Sequence, residues 1–268
     1  MVIDFHTHIF PDKIASRSIE HLENASGITA ATDGTLNGLL LSMEKNDVDL
    51  SIILPVVTKP SQFESVNRFA TEVNQTYKGK LISFGGIHPD SEDYKSELDR
   101  IKELGLSGIK LHPDYQRVMI DDERNMRIIE YADSLGLIIM VHAGIDIGLP
   151  NPVHCPPDKA AKVIDTLKPK NMILAHFGGW KQWEEVYKLL AGKHVYFDTS
   201  FTFDYIEQEM FLKILKKHGH DKVLFATDSP WSDVKKAVEV VRNMPLEQNV
   251  IEDILSDNAI KLLQINKK

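Results

Sequence analysis

The stretch IDFHTHI, Ile3 to Ile9, is an apolar run that ends in two histidines one residue apart. Side chains of a β-strand alternate between faces, so His6 and His8 are expected to project to one side while Phe5 and Thr7 project to the other. Two imidazoles then share one small volume. Such a pair is either hydrogen-bonded at a strand end, as buried polar groups generally are, or it chelates a metal, because neutral imidazole is the commonest nitrogen ligand. The rest of the chain decides between these readings.

Outward from this stretch, short apolar and β-branched runs recur: LSIILPVV (50–57), LISFGGIHP (81–89), LSGIKLHP (106–113), LIIMVHAG (137–144), NMILAHFGG (171–179), VYFDTSF (195–201) and VLFATDSP (223–230). Segments of helical periodicity separate the later runs, several opening at Ser or Asp and closing at Gly as capping predicts. With the first run this makes eight strands, and it predicts an α/β fold: a single (β/α)8 TIM barrel over residues 1–268, with a doubly wound open sheet as the alternative. The stretch from Phe10 to Thr35, rich in Ser, Thr, Asn and Gly, is expected to be a long loop over the C-terminal mouth. Glu247 to Ile265 reads as one or two closing helices.

Composition narrows the function classes. A formal charge of −8 and a sequence pI of about 5.8, with no basic block, exclude a nucleic-acid partner, which would need a concentrated basic face. Cys155 is the only cysteine, so no intrachain disulfide forms and a reducing compartment is expected. The N-terminus shows no basic segment followed by a long apolar core, and no run approaches the ~20 apolar residues of a membrane span. A soluble, cytoplasmic protein is expected. Oligomeric state has no direct signal; a homodimer is compatible with the sequence, and Trp180, Trp183 and the group Phe201, Phe203 and Tyr205 suit either an interface or the core.

Six of the eleven histidines, His6, His8, His88, His112, His142 and His176, lie at or just beyond the C-terminal ends of expected strands. In a closed barrel those ends converge on one face, where such barrels carry their chemistry. Asp228 follows the apolar LFAT of the last strand. Alone it reads as a helix cap; beside the histidines it reads as a metal ligand and proton acceptor. Carboxylate and imidazole together suit Zn²⁺, and also Mn²⁺ or Fe²⁺. In GIKLHP, Lys110 and His112 share a face by the period of two. A lysine inside a barrel must be paired or lose its charge; it holds an acidic substrate, bridges metals as a carbamate, or snorkels to solvent.

H-x-H on the first strand, the histidines of VHAG and AHFGG, and TDSP on the last strand resemble the amidohydrolase superfamily. The likeness is to the amidohydrolase-related branch that includes aminocarboxymuconate-semialdehyde decarboxylase, γ-resorcylate decarboxylase and various lactonases. The resemblance implies that His6, His8, His142 and Asp228 hold a divalent ion, usually zinc, with Asp228 also the catalytic base. It implies that His176 either joins the metal or polarises the substrate as acid/base. Lys110 occupies the position where some relatives carry a carbamylated lysine bridging two metals; this branch usually lacks that bridge, so one ion is favoured over two.

Three functions follow as expectations. The first is a metal-dependent hydrolase, in which a metal-activated water attacks a small cyclic amide, lactone or related carbonyl substrate, with Lys110, His112 and Arg117 binding a substrate carboxylate. The second is a lyase: metal-dependent, non-oxidative decarboxylation of a small acid. The third is a non-catalytic metal- or ligand-binding barrel.

Overall fold

The computed structural model describes residues 1–266. Runs of Ile, Leu, Val and Met that are apolar on both faces favour parallel strands covered by helices. They form β1 (Ile3–Thr7), β2 (Leu50–Ile53), β3 (Leu81–Ser83), β4 (Gly85–Gly86), β5 (Gly108–Leu111), β6 (Ile138–Val141), β7 (Met172–Leu174), β8 (Tyr196–Asp198) and β9 (Val223–Leu224). Neighbours pair in parallel in the orders β1-β2-β3 and β4-β5-β6-β7-β8-β9. The run 81–89, expected as one strand, supplies both β3 and β4. Phe84 between them donates its N–H to Ile53 O at 2.9 Å, while Gly85 and Gly86 pair with Ile109 and Lys110.

The first and last strands close the ring. Phe5 N donates to Phe225 O at 2.9 Å, Asp228 N to His6 O at 2.8 Å and His8 N to Ser229 O at 2.6 Å, and Thr7 bridges Ser229 in parallel. Asp4 clamps the same seam, its carboxylate accepting from Thr227 N at 2.9 Å and Thr227 Oγ1 at 2.6 Å. The architecture is the expected (β/α)8 barrel. Its strands end sooner than expected, because His176 (φ 58°), Phe201 (φ 49°) and Asp228 (φ 65°) adopt left-handed backbone and turn the chain out of strand geometry at the mouth.

Strict alternation fails in β1. Its register with β2 shifts between Asp4 and Thr7, and Phe5 packs edge-on against Phe84 at 6.1 Å in the cluster formed by Ile3, Leu50, Ile52, Met140 and Ile173 inside the barrel. A bulge re-aims the chain, so Phe5 points inward rather than away from His6.

The connection from Phe10 to Thr35 is not the expected loop. It holds the helix α1 (Asp12–Ser26), with Ala15 and Ile19 buried four residues apart on one face. Gly27, at φ 72°, ends it in a left-handed cap whose N–H donates to Glu23 O. Polar composition outside that narrow face hid the helix. The next helix, α2 (Leu36–Lys45), has Thr35 as its cap, Oγ1 accepting from Gly38 N at 2.9 Å. The remaining helices are α3 (Phe63–Thr76), α4 (Tyr94–Glu103), the short α5 (Pro113–Gln116), α6 (Glu123–Ser134), α7 (Pro157–Leu167), α8 (Trp183–Leu189), α9 (Gln208–His218) and α10 (Val234–Arg242). The closing segment runs from α11 (Gln248–Glu252) through a π-helical turn into α12 (Asn258–Leu263). Ala259 and Leu262 of α12 pack onto the inner cluster. Trp180 and Trp183 are buried in the outer core, and Phe201, Phe203 and Tyr205 pack against it, so the aromatic group belongs to the chain's own packing. No helix among the described residues is long and apolar enough to cross a membrane.

Candidate metal centre and active site

Register decides which polar residues enter the barrel. Lys110 lies beside Met140, and Leu111 beside Val141; Met140 belongs to the inner cluster and Val141 to the outer core. Lys110 therefore points inward, and His112, two residues on, points the same way at the mouth. Asp198 lies beside Leu224, an inner residue, and points inward as well.

At the mouth the Nε2 atoms of His6 and His8 are 3.1 Å apart. Asp228 Oδ1 is 3.3 Å from the first and 3.1 Å from the second, and Lys110 Nζ is 3.1 Å from His6 Nε2. His142 Nδ1 faces His176 Nε2 at 3.0 Å, and the His6 and His176 rings, 5.5 Å apart, connect the two groups. His112 stacks on His142 at 4.2 Å. Arg117 is exposed at the end of α5 and joins none of these contacts. His88 is buried with its Nδ1 accepting from Asp90 N at 3.1 Å, which makes it a local cap.

The hydrogen bonds on the far side of each ring determine what faces the centre. His6 Nδ1 donates to Asp198 Oδ2 at 2.8 Å, His8 Nδ1 to Leu54 O at 2.8 Å, and His176 Nδ1 to Ser200 O at 3.0 Å. With the proton held on Nδ1, a neutral ring leaves the Nε2 lone pair free. The lone pairs of His6 and His8 and the Asp228 carboxylate thus crowd together, and Lys110 supplies a donor to only one of them. A cation would satisfy the remainder.

Charge states agree. Burial, reinforced by neighbouring basic groups, holds His6, His112 and His142 well below the usual histidine range, so these rings are neutral. Burial draws Lys110 down to about 8 against the pull of Asp198 and Asp228. His142 Nε2 and Asp114 Oδ2 are buried without hydrogen-bond partners and face each other at 3.7 Å. A proton on that side of His142 turns the Nδ1 lone pair toward His176 Nε2.

His112, His142 and Asp146 also have metal-ligand spacing, but the donor chemistry differs. His112 Nδ1 accepts from Tyr115 N at 3.4 Å, so its Nε2 carries the proton and faces Asp146 Oδ2 at 3.6 Å. That makes His112 a hydrogen-bond donor. Burial raises Asp146 to about 6.

Sequence reasoning missed Asp198, Asp114, Asp146 and His154. Asp198 ends the apolar VYFD as Asp228 ends VLFATD, so its signal was available. Asp114 and His154, joined through Oδ1 and Nδ1 at 2.9 Å, are forty residues apart and carry no local pattern.

A closed (β/α)8 barrel with titratable groups gathered at the C-terminal ends of its strands has the architecture of a barrel enzyme. A family model described as amidohydrolase matches residues 3–265, and the chain belongs to that family. No curated protein matches the chain in sequence. Among solved structures, an uncharacterised TIM-barrel protein of Bordetella bronchiseptica superposes with a TM-score of 0.80 at 17% identity, over 98% of each chain. The 5-carboxyvanillate decarboxylase of Sphingomonas paucimobilis gives 0.71 at 15% identity, over 99% of each chain. A dihydroxybenzoic acid decarboxylase of Polaromonas sp. JS666, solved with manganese and the inhibitor 2-nitroresorcinol, gives 0.72 at 15% identity, over 100% of this chain and 98% of that one. At these identities the likeness is one of fold.

Proposed function

We propose that the chain is a metal-dependent, non-oxidative decarboxylase of a small carboxylic acid, the second of the three expected functions. The observation that carries this reading is the crowding of His6 Nε2, His8 Nε2 and Asp228 Oδ1 within 3.3 Å, with the amine of Lys110 beside them. His6, His8 and Asp228, with His142 Nδ1 completing the set, would hold one divalent ion. Nitrogen and carboxylate donors accept zinc or manganese, and manganese is the ion in the dihydroxybenzoic acid decarboxylase of similar fold. When bound, the ion would supply Lewis-acid charge stabilisation at the substrate oxygens.

The protein's own part is binding and proton placement. Lys110 in its ammonium form binds the substrate carboxylate. His112 Nε2–H donates to a second substrate oxygen, and His176 Nε2 lies where it accepts or returns a proton. In the reaction the bond between the carboxyl carbon and its neighbour breaks, CO2 leaves, and the electron pair left on the neighbouring carbon takes up a proton. Two decarboxylases of aromatic acids share the fold, so small aromatic acids are the first substrates to test.

The hydrolase reading has one observation in its favour: Asp228 Oδ1 lies 3.3 Å from His6 Nε2 and 3.1 Å from His8 Nε2, where it would accept a proton from a water at the centre. Incubation of the zinc- and manganese-loaded protein with small aromatic acids and lactones in ¹⁸O-water separates the two. CO2 release without ¹⁸O uptake is expected. ¹⁸O uptake without CO2 replaces the lyase by a hydrolase, and neither product from any acid or lactone overturns the catalytic reading.

A further inference from the structure

Asp198 ends β8, is fully buried and is not among the candidate ligands; the role argued for it rests on the metal reading above. Its Oδ2 accepts from His6 Nδ1 at 2.8 Å, on the side of the ring away from Nε2. Its Oδ1 accepts from His176 N at 2.9 Å, from Ser200 N at 3.0 Å and from Ser200 Oγ. Its backbone oxygen accepts from Phe177 N at 2.7 Å. His176 and Phe177 are consecutive non-glycine residues in left-handed backbone, φ 58° and 56°. Such a conformation persists only where the surroundings over-determine it. Here one residue supplies a bond to each of the two peptide N–H groups in the turn.

We propose that Asp198 is a positioning residue that couples the two halves of the centre: one carboxylate oxygen fixes the tautomer of His6 and the other fixes the turn that aims His176. Affinity for the cation then depends on a side chain that does not touch it. Carboxylates behind metal-binding histidines orient the ring and fix its tautomer, and their loss typically weakens binding ~10- to 100-fold. Asp198→Asn separates the two oxygens. With the amide oxygen facing His176 N and Ser200 N, the amide NH2 faces His6 Nδ1 and demands its lone pair. The His6 proton then moves to Nε2, into the centre.

Two measurements test this. In the metal-free wild type, ¹⁵N NMR of histidine-labelled protein should show His6 protonated on Nδ1; protonation on Nε2 overturns the proposal and needs no variant to fold. In Asp198→Asn, folded by circular dichroism, the proton should appear on Nε2 and zinc affinity by chelator competition should fall ~10- to 100-fold. Zinc affinity within about twofold of wild type overturns the coupling. A wild type that binds neither zinc nor manganese overturns the metal reading instead, and the His6 tautomer still decides whether Asp198 holds the ring.

Discussion

Lys110 Nζ lies 3.1 Å from His6 Nε2, a cation-forming side chain set against an atom proposed to bind a cation. With its pKa drawn by burial to about 8, the amine is mostly protonated at neutral pH and opposes a second ion by charge. One divalent ion per chain is therefore expected by elemental analysis, with or without added bicarbonate and zinc. A ratio near two that is lost in Lys110→Ala would instead make Lys110 a carbamate bridge.

Lys110→Met keeps the length of the stem and removes the charge. Hydrogen bonds to charged groups contribute about 1.5–3 kcal/mol, so KM for an acidic substrate should rise ~10- to 100-fold while metal content stays. Steady-state kinetics on the loaded variant check this; an unchanged KM would remove Lys110 from substrate binding.

His6→Ala and His8→Ala each break the shared bite. Loss of one ring leaves the other poorly held, and metal affinity should fall at least ~10-fold in each single variant. The double variant should purify essentially free of metal, and full occupancy there would discard the assignment of this centre.

Asp228→Asn fills the same space and leaves an oxygen that coordinates weakly. Turnover should drop at least ~100-fold, with a smaller loss of metal. Wild-type turnover in this variant would return Asp228 to the helix-cap role.

His218 stacks on Phe197 at 3.9 Å in the outer core, and burial lowers its pKa from 6.5 to about 4. The unfolded ring takes a proton below 6.5 and the folded ring resists it until about 4, so the unfolded chain binds more protons in that window. Stability from this group is complete above the upper value and is lost as pH falls toward the lower, by roughly 3 kcal/mol in all. His218→Phe keeps the stack and gives up the acceptor of Gly192 N at 3.2 Å. It should be less stable at neutral pH by about 1 kcal/mol and lose stability less steeply on acidification, by about one proton. Denaturant unfolding across the window measures both; an unchanged slope would show that His218 is not titrating.

Much of the barrel could be read from residues because apolar runs ending in His or Asp report two things at once, a buried strand and a polar mouth. Lys110 followed directly from the period of two. The period failed at Phe5, because a bulge is set by pairing with a distant strand and leaves no mark in IDFHTHI. Helix α1 was hidden by a buried face as narrow as Ala15 and Ile19. Asp198 was legible and passed over. Asp114 was not, since its partners His142 and His154 reach it only through the fold.

The seam between β1 and the last strand also orders events during synthesis. His6 and His8 emerge ahead of Asp228 and of the backbone groups that close the ring, with 222 residues separating His6 from Asp228. At 5–20 residues per second, the histidine pair waits roughly 10 to 45 s for its carboxylate. A nascent chain therefore carries its candidate ligands unassembled and β1 unpaired on one edge throughout that interval. Stalling before Asp228 leaves a ribosome-bound chain with exposed strand edge and no cation centre, the species on which a chaperone would act.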